Sequence, residues 1–313
     1  MRKRAAAASL VILGSLLSVL PACSLSSGDG IAKKANSGAP EGTGFVTRSL
    51  STNGRKYTVF IPHAYTSQKK WPVIMFLHGM GEGGSDGTKN LTVGLGPTVA
   101  ERASTFPFIV IFPQSMNGDW NENSGAAADA IEALREVKKA YAVDEACVAL
   151  TGLSHGGYGT WAIGAKYASE FSALAPMCSE PSYKDVDALS KFPGIWGFSF
   201  SGDPFVPAMH TTGMVDAINK AGGRAKADVY PALGHAVWHQ AYENPELYSW
   251  ILTCRRSPAV ATPGYTAPGK TPAKTEGPKA VTPATPSKSG GTSNSQSKAG
   301  TLPESSSLMP AVW

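Results

Sequence analysis

Apolar residues gather in short, nearly unbroken runs separated by polar, glycine-bearing stretches. Val73–Leu77, Phe108–Phe112, Cys147–Leu150, Ala173–Met177 and Ile195–Phe200 have the pattern of strands buried on both faces. Lys226–Tyr230 reads as a further strand. Gly44–Leu50 and Lys56–Ile61 flank Thr52-Asn53-Gly54, and Asn-Gly between two β-like runs predicts a hairpin. A helical period runs instead through Ala126–Tyr141, where Ile131, Leu134 and Tyr141 share a face. It recurs in Gly157–Ala168, in Met209–Ala221, which stops at Gly222-Gly223, and in Val237–Leu252. Two leading strands followed by six in alternation with helices predict an α/β class. The sheet is then mostly parallel and eight-stranded, with helices on both faces. Ligands of such sheets bind at the carboxyl ends of the strands.

The stretch CVALTGLSHGGYGTW, residues 147–161, carries the sharpest chemical signal. A strand stops at Thr151-Gly152, Gly152-Leu153-Ser154-His155-Gly156 follows, and a helix begins. G-x-S-x-G between strand and helix is a nucleophile elbow, a turn so tight that it needs glycine two residues either side of the serine. It lifts the Ser154 hydroxyl above the sheet, while the N–H of His155 at the helix start points at a developing oxyanion. A plain Gly/Ser turn is the competing reading, so a base, an acid and a second oxyanion donor have to be found elsewhere.

Ser201-Gly202-Asp203-Pro204 follows the seventh strand and Leu233-Gly234-His235-Ala236 the eighth. The order Ser154, Asp203, His235 is that of the α/β hydrolases, with each residue at the strand end that fold requires. Asp185, Asp187, Asp216 and Asp228 compete for the acid but fall in a loop, in a helix or in mid-strand. His210 and His239 compete for the base but lie in helices. Gly79, Gly81 and Gly84 satisfy G-x-G-x-x-G after the third strand, yet Ser85-Asp86-Gly87 prolongs the loop where a dinucleotide site needs a helix. That loop suits the second oxyanion donor instead, Met80 or alternatively Gly81, with His78 as a turn support.

Residues from about 43 to 253 resemble the α/β-hydrolase family of secreted carboxylesterases often labelled predicted peptidases, relatives of feruloyl esterases and polyhydroxybutyrate depolymerases. The resemblance is carried by LHGMGEGGSD, VGLGP, FPFIVIFPQ, TGLSHGGYGTW, DPFVP, YPALGHAVWHQAY and NPELYSWIL. His155 stands where many members have Met, Phe200-Ser201-Gly202 replaces a more usual His-Gly turn, and His239 replaces a frequent acidic residue. The resemblance implies an α/β-hydrolase fold and ester substrates of the plant-polymer or polyester kind.

Outside that body the composition changes. Arg2, Lys3 and Arg4 precede the apolar Ala5–Leu20, so residues 1–22 read as an export signal. Leu20-Pro21-Ala22-Cys23 resembles a bacterial lipobox, which makes Cys23 the lipidated first mature residue. Plain secretion and an uncleaved anchor are the alternatives. Residues 23–42 read as a polar linker, 43–256 as the catalytic domain, and the Pro/Thr/Ala/Lys-rich 257–313 as a disordered tail. The net charge of +5 resides in the amino-terminal basic residues and this tail, leaving a near-neutral body with no footprint for nucleic acid. With Cys23 acylated, Cys147, Cys178 and Cys254 allow at most one disulfide, Cys178–Cys254 being conceivable, and no spacing suggests a metal site.

The expected chemistry is ester hydrolysis through an acyl-enzyme, with Ser154 as nucleophile, His235 as base and Asp203 as its orienter. It needs no metal or organic cofactor. Trp120, Trp161 and Trp238 are candidate walls of a substrate pocket or, alternatively, packing residues. A serine peptidase of the same fold and a non-catalytic, surface-anchored binding protein are the competing functions.

Overall fold

The computed structural model describes residues 27–257. Its strands are β1 (Gly44–Ser49), β2 (Lys56–Ile61), β3 (Trp71–Leu77), β4 (Ile109–Pro113), β5 (Val143–Leu153), β6 (Ala173–Met177), β7 (Gly194–Gly202) and β8 (Ala225–Leu233). They form one sheet in the order β1-β2-β4-β3-β5-β6-β7-β8. The β1–β2 hairpin turns at Asn53-Gly54, and β2 meets β4 antiparallel; every later neighbour is parallel.

Strand β3 shows why its sequence is apolar throughout. Side chains alternate across a pleat, so Val73, Met75 and Leu77 enter the core on one face and Ile74 and Phe76 the core on the other. Helices α1 (Gly28–Ala35) and α2 (Leu95–Glu101) cover the Ile74 and Phe76 face. Helices α3 (Gly125–Ala140), α4 (His155–Lys166), α5 (Val186–Leu189) and α6 (Met209–Lys220) cover the opposite face. Helices α7 (Trp238–Glu243) and α8 (Pro245–Thr253) return to the first.

Three expectations are corrected. The polar segment 23–42 is not wholly a linker, because Gly28–Ala35 forms α1. Ile31 and Ala35, four apart, are buried against the body, and Ser27 caps the helix by accepting the Gly30 N–H at 3.2 Å. The Asn36 side chain then accepts the Phe45 N–H at 2.6 Å and donates to the Phe45 carbonyl at 2.8 Å, which fixes the helix to β1. So short a helix holds through packing rather than propensity.

The last helix is two, since Pro245 cannot continue α7 and starts α8 with Asn244 as its cap. Cys178 and Cys254 are both free and buried at opposite ends of the sheet, Cys178 after β6 and the Cys254 sulfur packed on Gly194 at the start of β7. No bridge can span that separation. The export segment 1–22, Cys23 and the tail beyond Ser257 lie outside the described residues.

Candidate active site

Ser154 sits at the carboxyl end of β5 with φ 52° and ψ −118°. The elbow's glycines are required by close approach. A Cβ on Gly156 would fall 2.0 Å from the Leu77 carbonyl oxygen, and one on Gly152 would fall 2.3 Å from that of Gly156. His155 is the first residue of α4, so its N–H lacks an intrahelical partner and remains free to donate above the sheet.

Asp203 follows β7 and His235 follows β8. The Asp203 carboxylate is enclosed: Oδ1 accepts the N–H groups of Phe205 at 2.9 Å and Val206 at 3.0 Å, and Oδ2 faces His235 Nδ1 at 2.7 Å. The Asp203 side chain has no exposed surface while that of His235 keeps 19%, which leaves the imidazole open to the outside. A buried carboxylate on Nδ1 holds that nitrogen protonated and leaves Nε2 as a base. The competing residues are elsewhere: His210 lies 3.8 Å from Glu180, His239 is exposed, and none of Asp185, Asp187, Asp216 and Asp228 bonds His235.

Cys178, read from spacing as at most a partner for Cys254, joins serine to dyad. It follows β6, its φ is 40°, and its sulfur lies within 4.8 Å of a ligand atom of both Asp203 and His235. The Ser154 backbone touches the same thiol and donates its N–H to Met177 at 3.0 Å. Among the described residues the Ser154 hydroxyl makes no hydrogen bond; bonds between a nucleophile and its base commonly tighten only with substrate present. Cys178, Asp203 and His235 are also the described residues' set of metal-ligand type. Asp203 and His235 engage one another at 2.7 Å, however, and burial pushes the Cys178 thiol up to about 12, which keeps that sulfur a thiol. The strand-end rule that picked out Asp203 applies equally to Cys178.

The loop after β3, the candidate oxyanion loop, is braced by His78. Its Nε2 accepts the Ser115 N–H at 3.0 Å, its Nδ1 donates to the Gly79 carbonyl at 2.6 Å, and its own carbonyl accepts Trp120 Nε1–H at 2.8 Å. Burial, only partly opposed by the Gly79 bond, lowers the imidazole to about 4, so it is neutral. Met80 then opens a turn over Met80–Glu82 and is exposed beside the serine loop. Beneath it the Glu82 carboxyl packs toward Gly79 and is raised by burial.

The tryptophans divide. Trp120 and Trp161 are each 1% exposed and belong to the core, so neither has surface to offer as a pocket wall; Trp120 serves the His78 brace instead. Trp238 is half-buried, with its ring centre 5.9 Å from that of His235.

Sheet order, elbow and strand-end residues define the α/β-hydrolase fold. No protein-family model matches the chain. It is similar to "Probable feruloyl esterase C" of Aspergillus terreus, 29% identical over 126 residues that cover 40% of this chain and 46% of that protein. The chain thus matches less than half the length of this curated relative. A thermostable esterase of known structure superposes with a TM-score of 0.59 at 26% identity, over 68% of this chain and 63% of that one. A ferulic acid esterase superposes with a TM-score of 0.52 at 17% identity, over 67% and 97%. The fold is shared with both solved structures, and the second shows the fold alone.

Proposed function

We propose that the chain is a serine carboxylesterase, exported and held at a membrane by an acylated Cys23. Ser154 attacks the ester carbonyl, His235 takes the proton through Nε2 and returns it to the departing alkoxide, and Asp203 holds the imidazole's tautomer and stabilises its charged form. The N–H groups of His155 and Met80 receive the oxyanion, each such donor contributing about 3 kcal/mol in the transition state. The observation that carries the reading is the enclosed Asp203–His235 pair, 2.7 Å apart, on the edge where the elbow raises Ser154. Similarity to proteins named as esterases and feruloyl esterases supports ester over amide substrates and favours aromatic acyl esters such as feruloyl esters.

The test is turnover of nitrophenyl and feruloyl esters beside a panel of peptide amides, with Ser154→Ala in parallel. Ester turnover is expected to exceed amide turnover and to disappear in the variant, together with fluorophosphonate labelling. Ester turnover that survives Ser154→Ala refutes the mechanism, and faster amide turnover makes the protein a peptidase.

A further inference from the structure

Large apolar side chains left exposed on the described surface are concentrated on one edge. Six of the eight, Met80, Met116, Tyr183, Phe205, Met209 and Leu233, lie at or just beyond the carboxyl ends of parallel strands, on the edge that bears Ser154. The other two, Val229 and Leu252, are the least exposed of the set. Phe205 and Leu233 are 72% and 88% exposed. The Phe205 ring stands 5.4 Å from that of His235, and Leu233 precedes His235 by two residues. Exposed apolar side chains gathered on one edge mark a place where something apolar docks.

Helix α1 indicates what docks there. Its carboxyl end is fixed to Phe45, at the start of β1 and thus at the amino edge of the parallel strands. Its first residue, Gly28, lies against Thr88 so closely that a Cβ would fall 1.8 Å from the Thr88 carbonyl oxygen. Asn90, two residues on, donates to the carbonyls of Phe112 and Pro113 at the carboxyl end of β4. The chain therefore enters the body from the carboxyl-edge side. Residues 24–27 alone separate that entry from Cys23, and the five residue steps from Cys23 to Gly28 reach at most about 18 Å. An acyl anchor so close to the body brings the rim to the bilayer surface.

We propose that the carboxyl edge of the sheet is a lipid-docking face, with Met80, Met116, Phe205, Met209 and Leu233 set into the membrane interface. The esters it meets are then those borne by lipids in the plane of the membrane; this last step rests on the esterase reading, whereas the docking rests on acylation of Cys23. The amino edge is the competing face, where Lys191, Arg224, Arg255 and Arg256 line a cavity of about 680 Å³ suited to anionic headgroups.

The test uses the full chain purified from membranes, its mature N-terminus weighed, and incorporated into phosphatidylcholine vesicles containing phosphatidylglycerol. Phe205→Cys, Leu233→Cys and Lys191→Cys are each labelled with an environment-sensitive dye; the thiols of Cys147, Cys178 and Cys254 are buried and stay unlabelled. Emission at 205 and 233 is expected to rise and shift to the blue in vesicles while that at 191 stays as in water. Unchanged emission at 205 and 233, a response confined to 191, or a mature N-terminus without acyl chains overturns the proposal. As a second measurement, Met116→Asp with Leu233→Asp should retain turnover of a soluble nitrophenyl ester and lose roughly a hundred-fold on a nitrophenyl palmitate carried in the vesicles, since each of the two side chains withdrawn from lipid costs about ten-fold through its transfer term. Equal losses on both substrates refute docking. A parent chain that hydrolyses neither fails the esterase reading alone, because the dye still reports the docked face.

Discussion

Ser154 and Cys178 stand side by side at the ends of β5 and β6, and they are the two non-glycine residues among those described whose backbone is left-handed, at φ 52° and 40°. Each such residue costs about 1–3 kcal/mol and persists only where its surroundings over-determine it. Here the Ser154 N–H is tied to Met177 at 3.0 Å and the Cys178 N–H to Phe198 at 2.8 Å. The strain of the elbow is thus shared with the next strand, whose thiol fills the space beneath the dyad.

That thiol is expected to be inert. Burial pushes Cys178 up to about 12 and Cys147 up to about 11, and it raises Cys254 as well. Only a thiolate alkylates at a useful rate. Iodoacetamide at mildly alkaline pH should leave all three unmodified and ester turnover intact, with all three labelled once denaturant is added; mass spectrometry counts the adducts. Rapid labelling of Cys178 in the folded protein contradicts its place beneath the dyad.

Asp203→Asn tests the dyad. The Asn carbonyl can still accept the N–H groups of Phe205 and Val206, but its amide presents hydrogens to His235 Nδ1 and drives the ring into the wrong tautomer. Turnover should fall by about 10⁴-fold with little change in stability. A loss below ten-fold, with folding verified by circular dichroism, assigns the orienting role to another residue.

Gly156→Ala should destabilise the elbow itself. The new methyl would sit 2.0 Å from the carbonyl oxygen of Leu77 and 2.6 Å from that of His78, both backbone atoms that cannot rotate away. A cost of about 3 kcal/mol or more follows from such overpacking. Urea denaturation reads it directly, and a midpoint equal to the parent's shows that the turn has slack.

Acid should loosen the oxyanion loop through His78. The ordinary imidazole binds its proton near 6.5, and burial lowers this one to about 4. Between those values the unfolded chain holds the extra proton, so stability is fully present above pH 6.5 and falls as pH drops toward 4. The loss sums to about 3 kcal/mol at roughly 1.4 kcal/mol per pH unit. Thermal melts across that window should show the slope in the parent and lose this component in His78→Gln. An unchanged slope in the variant places its source in another group.

Much of the fold is legible in the chain because local rules govern it. Apolar runs such as Val73–Leu77 suit strands buried on both faces, Asn53-Gly54 suits a tight hairpin turn, and glycines two residues either side of Ser154, between strand and helix, suit an elbow. Alternation of strand and helix then fixes which ends of the strands carry Ser154, Asp203 and His235. Where the chain misleads, a local pattern lacks its partner. Residues 28–35 look like linker because the surface that buries Ile31 and Ala35 is built from sequence much further on. Trp120 and Trp161 read equally as pocket walls or as packing because aromatic character does not reveal depth.

Sequence by itself therefore determined the class of fold, the elbow and the chain order of the candidate site, all of which follow from spacing and from the reach of a few residues. Tertiary structure alone decided that Asp203 is enclosed against His235, that Cys178 lies beneath both, and that the exposed apolar residues share an edge with the start of α1. Those relations join segments tens of residues apart, and they are set by how the strands are ordered and packed, which no local run of residues encodes.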